Sequence, residues 1–157
     1  MPTAIHEHII AKLEGELLDW LKEIRCGSGR VASFAKNLVS KRSTTIKLPI
    51  DDDATQVKSK RGISKHDPDA AVSHVKAKYP GVIIEVSYSQ RKKDLRQLAE
   101  DYLMDSNGSV QMVVGLNVEY RKKQSLEASL SVWRTEIFSN VDGLELRVVQ
   151  EVKDKVS

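Results

Sequence analysis

Two acidic residues set the chemistry this sequence could perform. Asp69 closes the run His66, Asp67, Pro68, Asp69, and Glu85 lies inside the apolar run Val82–Tyr88. A carboxylate inside an apolar strand is costly unless it is hydrogen-bonded, paired with a charge or bound to a metal. If Asp69 lies on the preceding strand of a hairpin, it comes close to Glu85. Two convergent carboxylates form a site for a hard divalent cation such as Mg2+, which prefers oxygen ligands and keeps several waters.

The elements that must position these acids are legible around them. The Glu85 stretch is rich in β-branched and aromatic residues and follows Pro80 and Gly81, which marks a strand. Alternation places Val82, Ile84, Val86 and Tyr88 on one face, the expected core face, and Ile83, Glu85, Ser87 and Ser89 on the other. Upstream, Ile10, Leu13, Leu17, Leu21 and Ile24 recur at helical spacing and predict a helix over 5–24, stopped by Gly27 and Gly29. Val31–Val39 reads as a short helix or an irregular approach to the sheet, and Ser43–Pro49 as the first strand. Asp51–Arg61 has no apolar period and reads as a hairpin tip or loop. After the Glu85 strand, Leu95, Leu98, Ala99, Tyr102 and Leu103 predict a helix from Lys92 to Met104, with Asn107 or Gly108 available for a left-handed cap. Val110–Tyr120 is a near-continuous apolar run that suits a central strand. Leu126–Arg134 and Leu144–Val152 supply two further strands. The expected fold class is α/β, a mixed β-sheet flanked by helices, with strands 85 and 110 parallel across a helical crossover.

Composition sets the broad class. A chain of 157 residues with 30% charged and 40% hydrophobic residues reads as one globular domain over 1–157. The net charge of +3 permits a nucleic-acid partner without demanding one. A single cysteine, Cys26, excludes an internal disulfide and suits a reducing, intracellular setting, nucleus or cytoplasm. No apolar run has transmembrane length, so no membrane partner is expected. The four histidines make no zinc pattern, His6 and His8 diverging on their helix. No glycine-rich phosphate loop follows a strand.

The ordered set Asp67–Asp69, Tyr79–Gln90, the Leu95–Tyr102 helix, Val113–Asn117 and Leu130–Arg134 resembles the PD-(D/E)xK restriction-endonuclease-like superfamily, and within it a fungal group. The resemblance covers a core of about 5–134, with the strand at about 144–152 added. It implies a restriction-endonuclease-like core with Asp69 as the motif aspartate and Glu85 as the motif acid. It further implies that Asp69, Glu85 and the backbone carbonyl of Val86 hold Mg2+ or Mn2+, with a first-helix glutamate, best matched by Glu14, reaching the metal. The motif's usual lysine falls on Ser87. Gln90, Lys92 and Lys93 are the nearby candidates for its role, Gln90 and Lys93 being the catalytic assignments.

The expected function is therefore a metal-dependent nuclease hydrolysing DNA or RNA phosphodiesters. The alternative is a catalytically inactive nuclease-like fold that binds nucleic acid or protein. Lys41–Arg42, Lys58–Arg61, Arg91–Lys93 and Arg121–Lys123 offer a phosphate-contacting rim for either. An exposed edge at the Leu144 strand suits a homodimer formed by strand addition.

Overall fold

In the computed structural model the described residues are 4–42, 44–50, 62–88, 94–120 and 126–156. The acidic triplet Asp51–Asp53 and the basic clusters Lys58–Arg61, Arg91–Lys93 and Arg121–Lys123 lie outside them.

The amphipathic N-terminal stretch forms helix α1, Ala4–Cys26. Its last turn is fastened by Arg25, whose Nε donates to Ala35 O at 2.9 Å and whose Nη2 donates to Leu38 O at 2.6 Å. These bonds satisfy carbonyls at the end of the short helix α2, Arg30–Ala35, and at the start of strand β1, Leu38–Ser40. Strands β2, Ile46–Ile50, and β3, Gly62–His66, pair antiparallel as a separate two-stranded sheet. Then come β4, Ala70–His74, and β5, Val82–Tyr88. Helix α3, Leu95–Asp105, starts at Asp94, whose carboxylate accepts from Gln97 N at 3.0 Å. It ends where Asn107 and Gly108 take positive φ of 51° and 76° and Gly108 N reaches back to Leu103 O. Strands β6, Met112–Tyr120, β7, Leu126–Asn140, and β8, Gly143–Val156, complete the chain.

The main sheet has the order β1-β4-β5-β6-β7-β8. Only β5 and β6 run parallel; the other neighbours are antiparallel. The result is an α/β protein with a mixed six-stranded sheet, three helices and a hairpin among the described residues, as the class reading expects. The parallel β5–α3–β6 unit is also as expected.

Three expectations need correction. Ser43–Pro49 is not the first strand of the main sheet. That place belongs to β1, and β2 folds with β3 over one face of the sheet, where Ile46 and Leu48 join the core. The last two strands are longer than their sequence limits, because the β7–β8 pairing continues out to Asn140 and Gly143. Finally, the main core lies on the Glu85 face of β5. Ile83, Glu85 and Ser87 are 0%, 2% and 1% exposed; on the other face Val86 is as deeply buried, at 1%, while Val82, Ile84 and Tyr88 are half-buried. The reason is layering. Helix α3 and the β2–β3 hairpin cover the Ile83 face, where Ala71, Ile83, Val113 and Trp133 pack against Ala99, Tyr102 and Leu103. Helix α1 packs on the other, with an apolar cleft of about 190 Å3 between Leu13, Leu17, Trp20 and the sheet residues Ile84, Val114, Leu116 and Leu130.

Gly115 is a packing requirement of the Glu85 face. A Cβ there would stand 2.7 Å from Trp133 Cζ3 and 3.2 Å from Leu95 Cδ1. Trp133 is itself buried within the core cluster. Gly115→Ala is expected to destabilise the fold by about 1–3 kcal/mol in urea titration. Gly81→Ala, where nothing lies within 4 Å of the added carbon, is the control and should be neutral or stabilising by up to about 1 kcal/mol.

Candidate functional site

The site is built where β4 begins and β5 ends. Pro68 is fully buried and lacks an N–H, so its burial leaves no donor unsatisfied. It holds the chain between β3 and β4 and delivers Asp69 one residue before the β4 ladder. The register there is Ala70 opposite Ile84, so Asp69 stands one position further on, beside Glu85. β4 offers Val86 no backbone partner beyond that ladder. The Asp69 carboxylate takes the role, Oδ2 accepting from Val86 N at 2.7 Å.

The other Asp69 oxygen faces α1. His6 Nε2 lies 3.1 Å from Oδ1, with both side chains almost buried, 12% and 13% exposed. With Asp69 ionised, its carboxylate only accepts, and the proton of this bond is then on Nε2. Two turns along the same helix face, Glu14 accepts from Ser40 Oγ on β1 and pairs with Arg42 Nε at 3.0 Å. His6, Ile10 and Glu14 form one row at four-residue spacing. With Arg42, Asp67 and Asp69 they line a cleft of about 360 Å3 between α1 and the sheet edge.

Glu85 points the opposite way, into the core under α3. Tyr102 Oη donates to its Oε1 at 2.7 Å. Burial, then the Glu85 charge and this hydrogen bond, then the charges of Asp69 and Asp67, push the Tyr102 pKa far above its ordinary value of 10. His66 packs its ring against Tyr102, centroids 5.0 Å apart, and shares a 2.6 Å hydrogen bond with Ser64 Oγ. Thr45 Oγ1 donates to Asp67 Oδ1 at 2.5 Å, tying the hairpin to the same corner. Asp69 and Glu85 are therefore the expected site residues that the fold brings side by side. Glu14 shares the cleft with Asp69 and is engaged with Ser40 and Arg42. Gln90 and Lys93, like Lys92, lie outside the described residues. Ser87, at the place of the motif lysine, is buried at 1% exposure.

The sequence reading passed over His6 and Tyr102 as site residues. The row His6, Ile10, Glu14 was available in the sequence as a polar edge on a helical stripe. Tyr102 was assigned to the apolar face of its helix, which is correct for its ring and silent about its hydroxyl.

Among the described residues no three His, Cys, Asp or Glu side chains come together as a cage for a metal ion. A cation demanding three or four protein side chains does not fit here. Asp69 and Glu85 are neighbours by backbone register, and Mg2+ or Mn2+, which binds through one or two carboxylates and fills its remaining positions with water, is the kind of ion such a pair would take. No helix among the described residues is long and apolar enough to cross a membrane. Comparison with known proteins finds no matching family model, no similar curated protein and no similar solved structure.

The buried Tyr102 hydroxyl has a pH signature. The folded state keeps this proton at a pH where the unfolded chain, with its pKa near 10, gives it up. Its contribution to stability is full below about pH 10 and is lost as pH rises from there toward the folded pKa. Tyr102→Phe should lose about 1.5–3 kcal/mol at pH 8, the value of a hydrogen bond to a charged group. It should also show a shallower fall in stability above pH 10 than the wild type in urea titrations. Identical alkaline slopes in the two proteins would count against this bond.

Proposed function

We propose that the chain is a metal-dependent nuclease of the PD-(D/E)xK, restriction-endonuclease-like kind, hydrolysing phosphodiester bonds of DNA or RNA. The observation that carries this reading is the register at the β4–β5 corner. Asp69 lies directly beyond the Ala70–Ile84 pair and so beside Glu85. The order of elements supports it. A first helix, an antiparallel β1-β4-β5 meander, helix α3 and parallel β6 resemble that superfamily's core, with the β2–β3 hairpin inserted.

In this reading Asp69, Glu85 and the Val86 carbonyl hold one or two Mg2+ or Mn2+ ions. When bound, the metal supplies a water of lowered pKa and offsets negative charge building on the phosphoryl oxygens. The chain's own residues place the oxygen donors. Tyr102 fixes Glu85 through its hydroxyl, so the acid keeps one rotamer inside the core. Val86 N fixes Asp69. Gln90 or Lys93 is the side chain assigned to orient the water. The net reaction would add water across one P–O ester bond, giving a phosphate monoester and a free hydroxyl.

A second reading rests on Ser87. The position of the motif lysine carries a hydroxyl that is itself buried. A fold that has lost this lysine and keeps its acids for internal hydrogen bonds would serve as a nucleic-acid- or protein-binding module.

Calorimetry with Mn2+, followed by incubation with plasmid DNA and with structured RNA, separates the two. Glu85→Gln keeps the size and the acceptor for Tyr102 but removes the charge. The nuclease reading expects Mn2+ uptake and cleavage by wild type, with both lost in the variant. A folded wild type that takes up no Mn2+ would leave the binding module as the reading.

A further inference from the structure

We infer that His6 is a positioning residue for the proposed metal centre, an inference that rests on the nuclease reading. Its Nε2–H holds Asp69 Oδ1 in one orientation. Helix α1 thus supplies to the site a nitrogen side chain that the β5 strand, with Ser87 at the motif position, does not.

Four observations converge on it. The His6–Asp69 contact is 3.1 Å long and nearly withdrawn from solvent on both sides. The second Asp69 oxygen is already committed to Val86 N, so the two bonds grip opposite ends of one carboxylate. Glu14, on the same face of helix α1, makes a second tie beside it, to Ser40 and Arg42. The pair also lines the cleft between α1 and the start of β4, not the core under α3.

Hydrogen-bonded partners of metal-binding carboxylates set ligand orientation, and their loss weakens metal binding by about 10–100-fold. A residue serving only to dock α1 would change stability and leave metal affinity alone. The choice of replacement tells these apart. Gln carries its amide nitrogen at the reach of histidine Nε2, Asn carries it one bond short, and Leu has no donor.

The experiment is Mn2+ calorimetry on the full chain for wild type, His6→Leu, His6→Gln and His6→Asn, with circular dichroism of each metal-free protein. Amide hydrogen exchange at Val86 is followed on the same samples. The expected result is a weakening of Mn2+ binding by about 10–100-fold in His6→Leu, recovery in His6→Gln and no recovery in His6→Asn. Val86 should exchange faster in His6→Leu than in His6→Gln, since Asp69 then loses its second anchor. A folded His6→Leu that binds Mn2+ as wild type does would overturn the inference while leaving the nuclease reading intact. If His6→Leu fails to fold, equal affinities for His6→Gln and His6→Asn would overturn it in the same way. A wild type that binds no Mn2+ would remove the nuclease reading, and this inference with it.

Discussion

A carboxyl group buried at 2% exposure in the middle of a β-sheet is the constraint on which this structure turns. Glu85 needs a donor inside the core, because an unsatisfied buried acid would cost several kcal/mol. Tyr102 is one such donor, and it arrives from above the sheet. This fixes where α3 lies. The helix crosses over β5 and β6, the one parallel pair of the main sheet, with its apolar face down and the Tyr102 hydroxyl reaching Glu85, two residues beyond Ile83. Asp94 begins the helix and Gly108 ends it at the right length for that crossing. Gly115 and the Trp133 ring then fill the space next to Glu85.

Asp69 joins this interior to the opposite layer. Its carboxylate stands in for a missing strand partner at Val86 and receives His6 from α1. The two faces of the sheet are covered by different elements and share few residues. The corner between β4 and β5 is where they meet. Both acids are held by protein donors from outside their own strands, which is the arrangement expected of groups whose orientation matters.

Much of the architecture could be read in advance where local pattern carries the information. Helix α1, the β5 strand, the α3 stop at Asn107 and Gly108, and the parallel β5–α3–β6 unit all have signatures in spacing or turn chemistry. The core face of β5 did not. Both of its faces are covered, and the deeper one carries Glu85 and Ser87, so polarity pointed to the wrong side. The separation of β2 and β3 from the main sheet was also hidden, since strand partners are chosen by tertiary packing rather than by local sequence. At the candidate site, Asp69 and Glu85, which the register places as neighbours, stood out in the sequence through an acid in an apolar run and a Pro-Asp pair. His6 and Tyr102 did not, because a histidine on a helix flank and a tyrosine in an apolar stripe look like ordinary packing until the partner is known.

The central claim is that Asp69 and Glu85, brought together by the β4–β5 register, share one divalent cation. Anomalous diffraction from crystals grown with Mn2+ tests it most directly. The account predicts a manganese peak bonded to carboxylate oxygens of both Asp69 and Glu85. A peak confined to other carboxylates, or none in a crystal whose β4–β5 register is as described, would contradict it.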